Sequence, residues 1–299
     1  MEANVSIVIP TYYRVKDLSE LFNSILRQTV KPLEVIVVDD TPTDVIKNIC
    51  EEYYGKFKAI NIDLIYIKNW REPSLTIARN IGVSVAKGDI ILFLGSDVIL
   101  YPHYIEKILE VFEIKKEALG VQGWIVLKIR RRTPYLWSPL RKIFFLSHLS
   151  KNSCKLSEYP YVLKGIIGCE ALYGANMAYK REVFDNLGLK FDENLKRYSY
   201  MEDVLFSHSL YKMRPNSLYI TPYARLIHKR SEEGRTERRD GLLLETRYMR
   251  SCRKYVLMKL FGVKGLFIFF RQTAGLLFFG ILRKIIQKLR ASTYKAVYF

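Results

Sequence analysis

Four short apolar runs in the first hundred residues, VSIVIP, LEVIVVDD, DLIYIKN and DIILFLGSD, read as strands without the polar–apolar alternation of a half-solvated sheet. The stretches between them read as helices. LSELFNSILRQ has helical apolar spacing, and SLTIARNIGVSVAKG shows the same spacing before closing on Gly88. Strands apolar on both faces and separated by helices require a parallel sheet covered on both sides, hence an α/β fold. Such sheets bind ligands beyond the carboxyl ends of their strands, where the second and fourth runs leave Asp39, Asp40 and Asp97. An unpaired buried charge is costly, so a carboxylate ending a buried strand must be capped, solvated or holding something.

Beyond about residue 122 the pattern is less regular. GANMAYKREVFDNLG predicts a strand and then a helix stopping near Gly188, and YMEDVLFSHSLYKM predicts a helix with acids in its first turn. SLYITPYARLIHKR predicts a late strand ending near His228, and SEEGRTERRDG is too charged to bury. With 299 residues, 49% of them hydrophobic, the chain suffices for one large or two ordinary domains.

The net charge of +18 invites a nucleic-acid reading, but its distribution argues otherwise. Residues 123–155 hold 8 basic and no acidic side chains, residues 229–299 hold 17 and 5, and the remainder holds 23 and 25. The two basic segments contain RRTPYLWSPLRKIFFLSHL, Arg131 to Leu149, and GLFIFFRQTAGLLFFGILRKIIQKLR, Gly265 to Arg290. Basic residues interleaved with Trp, Phe and Leu suit helices lying on an anionic membrane surface; ordinary amphipathic helices packed on the domain are the alternative. Arg271 and Gln272 in the middle of the second segment argue against a span, since a central Arg costs about 2.5–3.5 kcal/mol on insertion scales. Cys50, Cys154, Cys169 and Cys252 lack metal-site spacing and are expected as reduced thiols, and MEANVSIVIP has no signal-peptide pattern. Both point to a cytoplasmic protein, peripheral on the inner face of the membrane.

The motifs VSIVIPTYYR, VIVVDDTPTD, ARNIGVSVAKGDIILFLGSD, GANMAYKREVF, MEDVLFS and ARLIH occur in one order. Over about residues 5 to 230 this order resembles the family 2 nucleotide-sugar glycosyltransferases. The resemblance implies the GT-A fold, a Rossmann-like mostly parallel sheet flanked by helices, with the C-terminal amphipathic helices added to it. It divides the chain into residues 1–240, with a nucleotide-binding half to about residue 100 and an acceptor half from 101, and a basic membrane-associating region, 241–299.

The resemblance also implies roles. Tyr12 would lie against the base, though a surface-packed loop tyrosine fits the residues alone. Asp40 would accept a hydrogen bond from the base and Asp39 would support the loop, whereas TPTD alone makes both turn initiators. Pro10, Arg14 and Ser96 flank these positions and are assigned to the donor site. Arg79 would reach the nucleotide or its phosphates. Asp97 matches the last acid of the DxD signature and would bind Mn²⁺ or Mg²⁺ between the two phosphates, with His228 as a second ligand. Gly95 stands where the first acid is usual. Gly174 and Asn176 would lie against the donor sugar. Asp203 would be the general base for an acceptor hydroxyl, kept ionised by the helix start, with Glu202 orienting the acceptor and with inversion at the anomeric carbon. Lys229, Arg230, Arg235, Arg238 and Arg239 would close on the diphosphate, or form an ordinary solvated run. The implied partners are a UDP or GDP sugar, a glycan or lipid-linked acceptor and a membrane surface, with no nucleic acid. A nucleotide-sugar-binding protein without transfer activity, or a basic nucleic-acid-binding protein, are the other classes.

Overall fold

The computed structural model describes residues 3–126, 143–144, 163–197, 199–229, 231 and 242–297, with backbone alone for 242–246 and 283–297. Most of Arg131–Leu149, together with Cys154, Arg230, Arg235, Arg238 and Arg239, lies outside the described residues. Among the described residues nine strands form one sheet: β1 Val5–Thr11, β2 Glu34–Asp39, β3 Asp63–Lys68, β4 Ile90–Leu94, β5 Val98–Leu100, β6 Gly120–Ile125, β7 Ile167–Gly168, β8 Asn176–Lys180 and β9 Leu218–His228. The helices are α1 Val15–Leu26, α2 Val45–Lys58, α3 Leu75–Val85, α4 Tyr104–Ile114, α5 Glu182–Asp185, α6 Glu202–Met213, α7 Leu242–Phe261 and α8 Val263–Val297. The order is β3-β2-β1-β4-β8-β6-β9-β5, with β7 paired to β9. Strands β1 to β4, β6 and β9 run one way, and β5, β7 and β8 run against them.

The missing alternation now has its cause. Ile7 and Ile9 of β1, Val35 and Val37 of β2, and Leu92 and Leu94 of β4 enter one core with α1, α2 and α4. Their neighbours Val8, Ile36, Val38, Ile91 and Phe93 enter a second core with α3, α5 and α6. A strand turns successive side chains to opposite faces, so two cores demand apolar residues at every position. DLIYIKN differs because β3 is the sheet edge, and four of its residues are only half-buried. Cys50, Cys169 and Cys252 are buried and form no disulfide among the described residues.

The parallel strands end on one side of the sheet, and β8, running the other way, begins there. The expected site residues therefore gather on one edge. Close packing holds that edge in register: a Cβ built on Gly82 of α3 would lie 2.3 Å from Val8 Cγ1. Gly82→Ala is expected to cost about 1–3 kcal/mol through overpacking. Gly55→Ala, in open space on exposed α2, is expected to gain up to about 1 kcal/mol. Urea midpoints of the two variants moving in opposite directions would check this.

Candidate active site

The ends of β1, β4 and β9, the turn before β8 and the start of α6 border a cleft of about 310 Å³. All the described residues expected from the sequence line it except Asp39, Asn176 and Lys229, whose ammonium pairs with Asp17 and Glu20 of α1 instead of facing a diphosphate. Asn176 is fully buried and donates from Nδ2 to Gly123 O at 3.0 Å, which places it behind the wall that Gly174 and Ala175 present. Asp39 is also fully buried. Its Oδ1 accepts from Thr41 N at 2.7 Å, and its Oδ2 from the Tyr66 hydroxyl at 2.9 Å and Lys68 Nζ at 3.3 Å. These bonds tie the turn after β2 to β3 and leave the neighbouring Asp40, bonded to Asn69, facing the cleft. Tyr12 meets Tyr13 edge to face at 4.7 Å, and Tyr13 takes a φ of 58°, held by a bond from its N–H to Thr41 Oγ1.

Asp97 is only 2% exposed. Arg14 Nη1 lies 2.8 Å from Oδ1, His228 Nε2 lies 3.4 Å from Oδ2, and Ser231 N donates to Oδ2 at 3.2 Å. Burial alone would raise this carboxyl; the bond and charge of His228, the Arg14 guanidinium and the Ser231 amide outweigh it and hold the pKa at about 2. A Cβ on Gly95 would come within 3.1 Å of Asp97 Oδ1, so the glycine leaves room for this arrangement. Tyr173, not anticipated from the sequence, places its ring against His228 at 6.0 Å.

Facing these groups are the acids of α6. Met201, left-handed at φ 66°, ends the preceding loop and starts the helix at Glu202. Asp203 Oδ2 accepts from Gly174 N at 2.7 Å and Oδ1 from Val204 N at 2.9 Å, so two backbone amides favour its ionised form. Arg79 lines the cleft, but its buried guanidinium pairs with Glu202, donates to Gly174 O at 2.7 Å and sits over the Phe191 ring. It thus fixes the acids, where the sequence suggested a reach toward phosphates. A Cβ on Gly174 would meet Asp203 Oδ2 at 2.8 Å, Glu202 Oε1 at 3.0 Å and Arg79 Nη2 at 3.1 Å. Ser199, Tyr200 and Met201 also line the cleft and were missed, because nothing in YSYMED marks non-glycine residues for left-handed backbone.

The side chains present suit a divalent ion. Among the described residues no three His, Cys, Asp or Glu side chains converge. Asp97 supplies a hard oxygen, and His228 Nδ1 is buried without a hydrogen-bond partner among the described residues. Two protein donors match an ion that completes its shell with phosphate oxygens and water.

The sequence model of the family described as Glycosyl transferase family 2 matches residues 6–188, more than half of the chain. The chain belongs to glycosyl transferase family 2. Relatives in this family include an uncharacterized glycosyltransferase of Rickettsia typhi, 28% identical over 78% of this chain and 65% of its own length. The glucosyl-dolichyl phosphate glucuronosyltransferase of Haloferax volcanii is 25% identical over 64% of this chain and 57% of its length. The chain thus spans about half to two thirds of the length of these curated relatives. Residues 1–349 of S. aureus TarS, solved with UDP-GlcNAc, share the fold at a TM-score of 0.57 and 18% identity, covering 91% of this chain and 72% of that one. GalNAc-T7, solved with UDP, GalNAc and Mn²⁺, gives 0.56 and 19%, covering 76% and 43%. These structures carry the GT-A architecture expected for the family 2 sheet.

Two consequences are measurable. Gly174→Ala pushes a methyl into Asp203, Glu202 and Arg79 together, and is expected to lower turnover by roughly 100-fold while leaving nucleotide affinity nearly unchanged. Steady-state kinetics beside calorimetry would check that split. The pairing of Asp97 contributes roughly 2 kcal/mol of stability, present above about pH 4 and lost as pH falls through about 2. Denaturation of wild type and Asp97→Asn between about pH 6 and pH 3 should show their stability gap narrowing toward acid.

Proposed function

We propose that the protein transfers a sugar from a nucleotide diphosphate sugar to an acceptor held at a membrane surface, with inversion at the anomeric carbon. The carrying observation is that one cleft joins Asp97 and His228 on one side to Asp203 and Glu202 on the other. The first pair suits a metal-bound diphosphate and the second an acceptor hydroxyl. TarS with UDP-GlcNAc and GalNAc-T7 with UDP and Mn²⁺ support a nucleotide-sugar donor by their likeness of fold.

In this reading the base lies between Tyr12 and Asp40, and Asp97 and His228 hold the ion. Bound Mn²⁺ or Mg²⁺ would supply neutralisation of the two phosphates, making the diphosphate a better leaving group. Asp203 takes the proton of the acceptor hydroxyl as its oxygen bonds to the anomeric carbon. The bond from that carbon to the diphosphate oxygen breaks, and the nucleoside diphosphate leaves with the electron pair. Arg79 and the amides of Gly174 and Val204 keep the acids placed.

The membrane assignment rests on α8. Val263–Leu282 is long and apolar enough to cross a membrane, with mean hydropathy 1.7. One of its faces, however, is packed on α7: Phe269 and Gln272 are buried, and Arg253 of α7 donates to Thr273 Oγ1 at 3.1 Å. The outward stripe Val263, Phe267, Phe270, Ala274, Leu277 and Ile281 is wholly apolar and exposed. A helix that buries Gln272 and leaves an apolar stripe outward suits lipid chains, and the basic excess of the segment suits anionic headgroups. With α7 carrying Arg247, Arg250, Arg253, Lys254 and Lys259, the pair lies along the surface.

Calorimetry of UDP and GDP, with Mn²⁺ and then EDTA, tests the donor site. Metal-dependent binding of one nucleotide, abolished in Asp97→Ala, is expected; binding that persists in EDTA and in the variant would overturn the metal role. Flotation with anionic vesicles tests the membrane role. Phe267→Ser with Phe270→Ser should weaken binding at least about tenfold, and indifference of the wild type to vesicles would remove that part of the reading.

A further inference from the structure

The loop leading to Glu202 and Asp203 is strained. Arg197, Ser199 and Met201 all adopt left-handed backbone, at φ 52°, 52° and 66°, and none is glycine. Such a run persists only where the surroundings over-determine it. Part of the restraint is local: Ser199 Oγ donates to Leu195 O at 2.7 Å and lies 3.2 Å from Ser74 Oγ. The rest comes from α7. Ser199 N–H is shared between Lys196 O at 2.8 Å and the Tyr248 hydroxyl at 3.1 Å, and that hydroxyl donates in turn to Lys196 O.

Packing reinforces the polar contact. Cys252, Val256 and Leu260 of α7 share a core with Leu195, Met201, Val204 and Leu205, the residues on either side of the acids. The Tyr255 hydroxyl at 2.8 Å and Lys259 Nζ at 2.5 Å both bond Asp192, at the base of the same loop. The far end of α7 is equally fixed. Gly262 turns the chain at φ 58°, and a Cβ on Gly265 would lie 1.9 Å from Leu257 O, so α8 starts in contact with the α7 backbone.

We infer that α7 is part of the frame of the active site and that Tyr248 is a positioning residue, whose hydroxyl holds the backbone of Lys196 and Ser199 and through it the start of α6 with Glu202 and Asp203. The inference rests on the transfer reading above for the roles of the two acids. It joins α8 to the acid-bearing side of the cleft through the packed α7–α8 pair, so the segment beyond residue 240 sets acid geometry. Tyr248 touches no reacting group; it acts through the backbone of Ser199 and Lys196.

The test is Tyr248→Phe in the full chain, which keeps the ring and removes the hydroxyl. Turnover is expected to fall roughly 10- to 100-fold, with donor KM and calorimetric UDP or GDP affinity within about twofold of wild type. Hydrogen exchange should accelerate in 195–205 and stay unchanged in 79–85 of α3, beyond the Leu75 amide that itself bonds Arg197 O. Unchanged turnover overturns the inference, as does a parallel loss of nucleotide affinity and of protection in α3, which would mark a general loss of structure. If the wild type transfers no sugar from any donor, the transfer reading fails by itself. Exchange then decides the frame: acceleration confined to 195–205 supports it, and unchanged exchange there overturns it.

Discussion

A buried carboxylate between β4 and β5 is the constraint around which one side of the cleft, proposed to hold the nucleotide, is arranged. Asp97 is kept ionised by Arg14 from the loop after β1, by His228 from the end of β9, and by the amide of Ser231 just beyond. These partners lie 83 or more positions away along the chain. They meet because β1, β4 and β9 run the same way and end on one side of the sheet. Removing an ion from water without such partners costs several kcal/mol, so the site and the strand order depend on each other.

The opposite side of the cleft, proposed to hold the acceptor, is built on the same principle of paired buried charge. Two acids enter at the start of α6, where the helix dipole and the amides of Gly174 and Val204 favour negative charge, and Arg79 balances Glu202 from across the cleft. Gly174 is the point of closest approach: its missing side chain lets one backbone segment touch both acids and the arginine. The strained loop before the acids completes the arrangement. Two of its left-handed residues, Ser199 and Met201, line the cleft, and it packs against α7.

Much of this was legible in the sequence, for physical reasons that differ from residue to residue. The unbroken apolar runs at β1, β2 and β4 announced a sheet covered on both faces, and their carboxyl ends announced the cleft. Asp97, His228, Glu202 and Asp203 stood out as polar residues where a strand or helix begins or ends. Depth was not legible: Asn176 begins β8 and Asp40 follows β2, both polar residues at a strand end, yet one lies behind the wall and the other lines it. Arg79 pairs with a residue more than a hundred positions away, so its helix does not reveal whether it meets an acid or a phosphate. The outward direction of the apolar stripe on α8 is also a packing fact. Composition marked the helix as apolar, and only the seating of Phe269 and Gln272 against α7 shows which face is left over.

The division of labour proposed for the cleft is most directly tested by Asp203→Asn, an isosteric change that removes the base and gives up one of its two bonds from backbone amides. Sugar transfer to a hydroxyl acceptor and nucleotide affinity would be measured on the same preparation. Transfer reduced by about 10²–10⁴-fold with nucleotide affinity unchanged is the result this account predicts. Transfer at the wild-type rate would contradict it and move proton removal to another group.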